Sequence, residues 1–397
     1  MISAALILLV LSAMGSLATT PHTATGHTER IEPSIEAYDN SPLGTRMPLL
    51  MIHGIQYGDG VTDKWDFFIK TFEANADFRA RYKIYLYHYN PKTGVAQNSK
   101  LFNTTLTSFI NSHGVGTMRI VAHSMGGLMV RDDAADPVFV QHVDRVISIA
   151  TPFHGTPLTA RAWISSKMWR LSPMRAYYRG VYGVVHHVFH DYVQDYAWDN
   201  FDGELPGNRQ VKGVKAGQPA VQYIPVDLIR THWILYAGFS SRTRQSRNWL
   251  AGQLGISQPQ IRHFDHEKRK HTGWLNCHRI MQVTRNKMCR LIPAKRGHGY
   301  PMMQFNDGII PIGSQLWLGE FGDARREGQP LSDAEQIERI QSLNGISGVT
   351  ARVFSGIDHN DWTRGTTRYR NPAMTDWLHP QETPKTAEDW VLKDLLN

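Results

Sequence analysis

The segment VAHSMGGLMV, Val121 to Val130, constrains the fold more than any other part of the chain. An apolar run leads into one serine, Ser124, and a second run of helical character leaves it. Ala122 stands two residues before the serine and Gly126 two residues after it. A strand that passes directly into a helix through one tight turn has no room for side chains at those two positions. The residue at the apex is then pushed out beyond the strand end, with its Oγ above the unpaired N–H groups of a helix N-terminus. A serine capping an ordinary strand–helix junction fits the same five residues, so the rest of the chain decides between the two.

MPLLMIHG, YKIYLYHYNP, TMRIVAHS and VDRVISIATP are short apolar runs closed by turn residues. Among them lie a helical pattern through Leu101, Leu106, Phe109 and Ile110 and the helix-like MGGLMVRDDA. This alternation predicts parallel βαβ units, hence an α/β fold with a mostly parallel central sheet and helices on both faces. THWILYAGF, DGIIPIGSQLW and VTARVFSG extend the sheet-like pattern, and Thr386 to Leu396 reads as a closing helix with a Thr-x-x-Asp start. The alternation breaks after Pro152. An aromatic-rich insertion over about 157–230, with Trp169, Tyr177, Tyr182 and Trp198, predicts a helical cap, and a second, basic insertion covers about 240–300. One domain from 47 to 397 carrying both insertions accommodates the length.

Residues 1–18 form an uncharged apolar run ending in Ser16-Leu17-Ala18, which reads as a secretory signal peptide cut after Ala18. A short membrane anchor is the alternative. Residues 19–46 are polar and read as a flexible leader. Export to an extracellular or periplasmic space would let Cys277 and Cys289 close a small loop as a disulfide, the alternative being two free thiols. The formal net charge is +8, from 43 Lys and Arg against 35 Asp and Glu. The basic residues are scattered and no nucleic-acid motif accompanies them. They read as a solvated surface with attraction to a lipid–water interface, with no nucleic acid and no protein partner inferred.

A serine of ordinary acidity needs a base to become a nucleophile, and the base needs an orienting acid. FNDGIIP offers Asp307 before a Gly turn, and SGIDHNDW offers His359 after a strand-like run. Ser, then Asp, then His is the order this type of elbow uses. Asp358 and Asp361 are too near His359 in sequence to align easily with its Nδ1. MIHGIQYG ends a strand in His53-Gly54, a sharp turn after which the Ile55 N–H can face the same oxyanion as the Met125 N–H; His53 reads as a loop-bracing residue. His186 with His190, and the group His263, Asp265, His266, Glu267 and His271, read as solvated polar faces rather than zinc sites.

HGI, AHSMGG, TPFHGTP, NDG and the late DH resemble the secreted bacterial lipases and esterases of the α/β-hydrolase superfamily, in scattered blocks from Pro48 to Trp362. The resemblance implies a carboxylic ester hydrolase, foremost a triacylglycerol lipase, with Ser124 as nucleophile, Asp307 as acid and His359 as base. It also implies Ile55 and Met125 as oxyanion donors, an ester or lipid substrate, and no required cofactor. In some of these lipases an Asp two positions after the catalytic His helps to hold a structural calcium, and Asp361 occupies that position. Ser314 stands where the calcium-type lipases have a disulfide cysteine. A phospholipase, a polyester depolymerase, an acyltransferase or a non-catalytic binding protein on the same fold remain alternatives.

Overall fold

Side chains alternate between the two faces of a strand, and here buried apolar residues of the central strands line both faces of the sheet, as a sheet covered on both sides requires. The computed structural model describes residues 32–54, 61–91, 95–153, 155, 231–239, 250–255, 305–307, 310–318, 333–355, 357, 359, 361–364, 374–382, 384 and 386–397. The strands are β1 (Ser34–Ala37), β2 (Met47–Ile52), β3 (Tyr82–His88), β4 (Met118–His123), β5 (Val143–Ile149), β6 (His232–Phe239) and β7 (Val349–Ser355). They form one sheet in the order β1-β3-β2-β4-β5-β6-β7. β1 runs antiparallel to β3, and the other pairs are parallel.

The helices are α1 (Val61–Ala74), α2 (Ala76–Arg81), α3 (Val95–His113), α4 (Met125–Asp133), α5 (Pro137–His142), α6 (Ile312–Gln315), α7 (Asp333–Leu343), α8 (Asp361–Arg364) and α9 (Ala387–Leu396). On one face Leu49, Met51, Val121 and Ile147 pack with Trp65, Phe68 and Phe72 of α1 and Trp390 and Val391 of α9. On the other face Leu50, Ile52, Ile120 and Val146 pack with Phe102 and Leu106 of α3, Leu128 of α4 and Ile340 of α7. A mostly parallel seven-stranded sheet between two helical layers is the α/β-hydrolase fold expected from the sequence. Among the described residues no helix is long and apolar enough to cross a membrane.

Local chemistry explains the helix limits. Asn75 and Asp136 cap α2 and α5 by accepting main-chain N–H bonds. The Thr-x-x-Asp start of α9 is a reciprocal capping box between Thr386 and Asp389.

Two expectations are corrected. The flexible leader drawn to residue 46 is too long, because Ser34–Ala37 pairs with Tyr85–His88 as an edge strand. DGIIPIGSQLW is not a strand: Ile312–Gln315 is a short buried helix after Pro311. Its four residues make one turn and all are buried, Ser314 and Gln315 included, so no exposed polar face reveals a helical period. Within the second insertion, Leu250 and Ala251 belong to the main core. The signal peptide, the cap at 157–230 and Cys277 and Cys289 lie outside the described residues.

Candidate active site

Ser124 follows the last residue of β4, the central strand, and precedes the first residue of α4. Its backbone has φ 53 and ψ −122, a conformation L side chains rarely adopt and one that costs about 1–3 kcal/mol. The surroundings hold it there. The Ser124 N–H donates to the Ile149 carbonyl at 2.9 Å, tying the turn to the end of β5. A Cβ at Gly126 would lie 2.7 Å from the Ile52 carbonyl oxygen, and one at Gly127 would lie 1.9 Å from Thr151 Oγ1. Glycine is therefore required at 126 by close backbone approach and at 127 by the Thr151 side chain.

Asp307 opens a narrow loop closed by the Asn306–Pro311 bridge and by a 2.9 Å bond from the Ile312 N–H to the Phe305 carbonyl. His359 lies four residues beyond the end of β7, and its N–H donates to the Asp307 carbonyl at 3.0 Å. The structure brings the three side chains together: His359 Nδ1 is 2.7 Å from Asp307 Oδ2, and His359 Nε2 is 2.9 Å from Ser124 Oγ. An ionised carboxylate only accepts, so Nδ1 carries the ring proton and Nε2 is left to accept from the serine hydroxyl. Asp307 Oδ1 accepts the Ile310 N–H at 2.8 Å, which fixes the carboxylate in its plane. All three residues are buried, Asp307 completely.

Met125 opens α4, so its N–H is among the first-turn amides that have no partner within the helix. Ile55 lies outside the described residues, but the turn leading to it is defined. His53 is buried, stacks on Tyr89 with ring centroids 4.4 Å apart, and donates through Nδ1 to the Gly54 carbonyl at 2.7 Å. This is the bracing position expected of it. The Tyr89 hydroxyl donates to the His53 carbonyl at 2.7 Å. A Cβ at Gly54 would come within 2.7 Å of Ser124 Cβ, so the turn passes directly over the serine.

Asp361 begins α8, and its side chain lies outside the described residues, as does Asp358. Among the described residues no group of three or more His, Cys, Asp or Glu is arranged to hold a metal ion. Ser314 donates to the Gly155 carbonyl at 2.9 Å, joining the loop after β5 to α6.

Sequence reasoning missed His123 and Tyr89. The His123 ring lies 5.1 Å from the His359 ring, and its Nε2 is 3.2 Å from the His359 carbonyl. A histidine at the buried end of a central strand was the signal for the first. Tyr89, beside Pro91 at the end of β3, gave none.

No protein-family model and no curated protein matches this sequence. Among solved structures, the chain is similar to the lipase BlEst2 of Bacillus licheniformis in its mature form, at 13% identity over 85% of this chain and 95% of that one, with a TM-score of 0.41. It is similar also to the lin2722 product of Listeria innocua, at 12% identity over 82% and 91% with a TM-score of 0.36. Est816, described as an N-acyl homoserine lactone degrading enzyme, matches at 10% identity over 87% and 96% with a TM-score of 0.34. Likenesses this distant carry no weight, so the fold assignment rests on strand order and the site on its own geometry.

Proposed function

We propose that this chain is a serine hydrolase of carboxylic esters, foremost a lipase. The observation that carries this reading is the continuous relay from Asp307 through His359 to a hydroxyl held on a strained turn. His359 Nε2 takes the Ser124 proton as Oγ bonds to the ester carbonyl carbon. The carbonyl oxygen becomes an oxyanion facing the Met125 N–H, with Ile55 as the second donor, each such donor being worth about 3 kcal/mol of barrier. The C–O bond to the alcohol then breaks, the alcohol leaving with the proton from His359. Water attacks the acyl-enzyme by the same path and releases the acid. Asp307 holds the imidazole tautomer and stabilises the cation formed between the two proton transfers.

The preference for long acyl chains rests on the aromatic composition of 157–230. Export after cleavage at Ala18, a Cys277–Cys289 disulfide, contact with a lipid surface and a calcium ligand at Asp361 belong to the same reading and rest on sequence alone. Initial rates on p-nitrophenyl esters of increasing acyl length, below and above micelle formation, test it. A lipase gains rate with length and jumps at the interface. A fall with length and no jump makes the chain a small-ester esterase, and no turnover anywhere in the series overturns the ester reading.

A further inference from the structure

Beyond the three relay residues, a fourth side chain connects the strand end, the acid loop and the base loop. Ala150 leaves β5 with φ 50, and its N–H makes a bond of 2.9 Å to the Tyr236 carbonyl of β6. Gly238, two residues further along β6, directs its N–H and carbonyl to the same side, where β5 no longer supplies a partner. The Gln315 amide fills that place. Its Oε1 accepts the Gly238 N–H at 2.8 Å and its Nε2 donates to the Gly238 carbonyl at 3.0 Å, continuing the ladder by one rung with a side chain. Both contacts fix which amide atom is oxygen, since an N–H only donates and a carbonyl only accepts.

The same Nε2 donates to the Ile310 carbonyl at 2.7 Å. That carbonyl also accepts the Asp307 N–H at 3.2 Å, while the Ile310 N–H holds Asp307 Oδ1. Gly238 touches the base loop on its other side. A Cβ there would lie 2.4 Å from Ile357 and 3.0 Å from Trp362, residues that flank His359. One completely buried amide thus sets the acid loop against the strand end on which the base loop packs.

We propose that Gln315 is a positioning residue that fixes the spacing and orientation of Asp307 relative to His359. The proposal rests on the assignment of Ser124, His359 and Asp307 as the reacting relay. A residue misplaced by about 1 Å from afar can lower turnover about 100-fold. Gln315→Met keeps length and bulk but removes the donor and acceptor, and is made in the full chain.

The expected result is a fall of about 10- to 100-fold in kcat on p-nitrophenyl acetate with KM within about two-fold. A matching slowing of fluorophosphonate labelling at Ser124 and loss of the downfield His359 Nδ1 proton resonance accompany it. A lower melting temperature with kcat, labelling rate and resonance unchanged overturns the proposal. If Gln315→Met does not fold, Gln315→Asn, which keeps the amide but is one methylene too short to reach Gly238 and Ile310 together, is expected to show the same losses, and their absence overturns it. In the unmodified chain the Gly238 amide is expected to exchange with deuterium as slowly as the sheet interior; rapid exchange overturns the clamp whatever the variants do. Labelling separates the two levels. A chain that labels at Ser124 but hydrolyses no ester fails as an esterase while still testing Gln315, whereas a chain that never labels removes the relay and the proposal together.

Discussion

The two ends of the sheet use buried polar groups in opposite ways. At the N-terminal end, donors from the exposed end of α2 and from the starts of β3, β4 and β5 converge on the last turn of α9. Arg81 donates to the Leu396 carbonyl at 2.7 Å, the Tyr82 hydroxyl to Leu395 at 2.6 Å, and Arg119 and Arg145 to Leu395 and Asp394. These are carbonyls a helix end leaves without partners. Midway along β7, on the face that α9 covers, buried Arg352 pairs with Asp394, Asp376 and Glu382 and stacks on the Trp390 ring at 4.7 Å. At the C-terminal end the polar groups instead converge on the Ser124 hydroxyl, held on a backbone that is itself strained. Under the proposed function, buried charge alone does not mark the reactive end. The strained turn and the directed relay do.

If that contrast holds, substitutions at the rim remove activity without unfolding, and those in the network against α9 do the reverse. The largest effect is expected for Ser124→Ala, with kcat for p-nitrophenyl acetate falling by about 10⁶-fold and an unchanged circular dichroism spectrum. Asp307→Asn, which lets the imidazole adopt the wrong tautomer, is expected to lose about 10⁴-fold in kcat. In the network against α9, Arg352→Met leaves buried Asp376 and Asp394 without their cation and should lower unfolding free energy by about 3–5 kcal/mol in a urea titration. Its kcat/KM should stay within about two-fold of the parent. A large loss of activity with intact stability there would dissolve the distinction between the two ends.

The smallest effect lies at the sheet edge. Burial raises the Asp39 carboxyl, but hydrogen bonds from Lys83 and Ser41 outweigh it and bring its pKa from 3.8 down to about 2. A lowered pKa means that the pair adds stability above about pH 4 and loses it as the pH falls through 2. Asp39→Asn should therefore melt slightly below the parent at pH 6, the two curves converging at pH 2.

Much of this was legible in the sequence, for definite reasons. β2 to β7 lie within the apolar runs because a doubly covered parallel sheet needs unbroken hydrophobic strands. Ser124, Asp307 and His359 were legible because the elbow demands small neighbours and chain order restricts the partners. β1 was hidden because Ser34–Ala37 is short, partly exposed and set in a polar stretch, which is how an edge strand is built. α6 was hidden because it is a single turn of four residues, all of them buried, Ser314 and Gln315 included. Gln315 was illegible for a different reason. Its partners are main-chain groups of Gly238 and Ile310, and a backbone partner leaves no mark in the composition around a glutamine.

The central claim is that Ser124 is activated by His359. Incubation with a fluorophosphonate followed by peptide mass spectrometry tests it most directly. A single adduct on Ser124 in the parent chain, lost in His359→Ala, is the predicted result. No adduct, an adduct on another residue, or undiminished labelling of Ser124 in His359→Ala would contradict it.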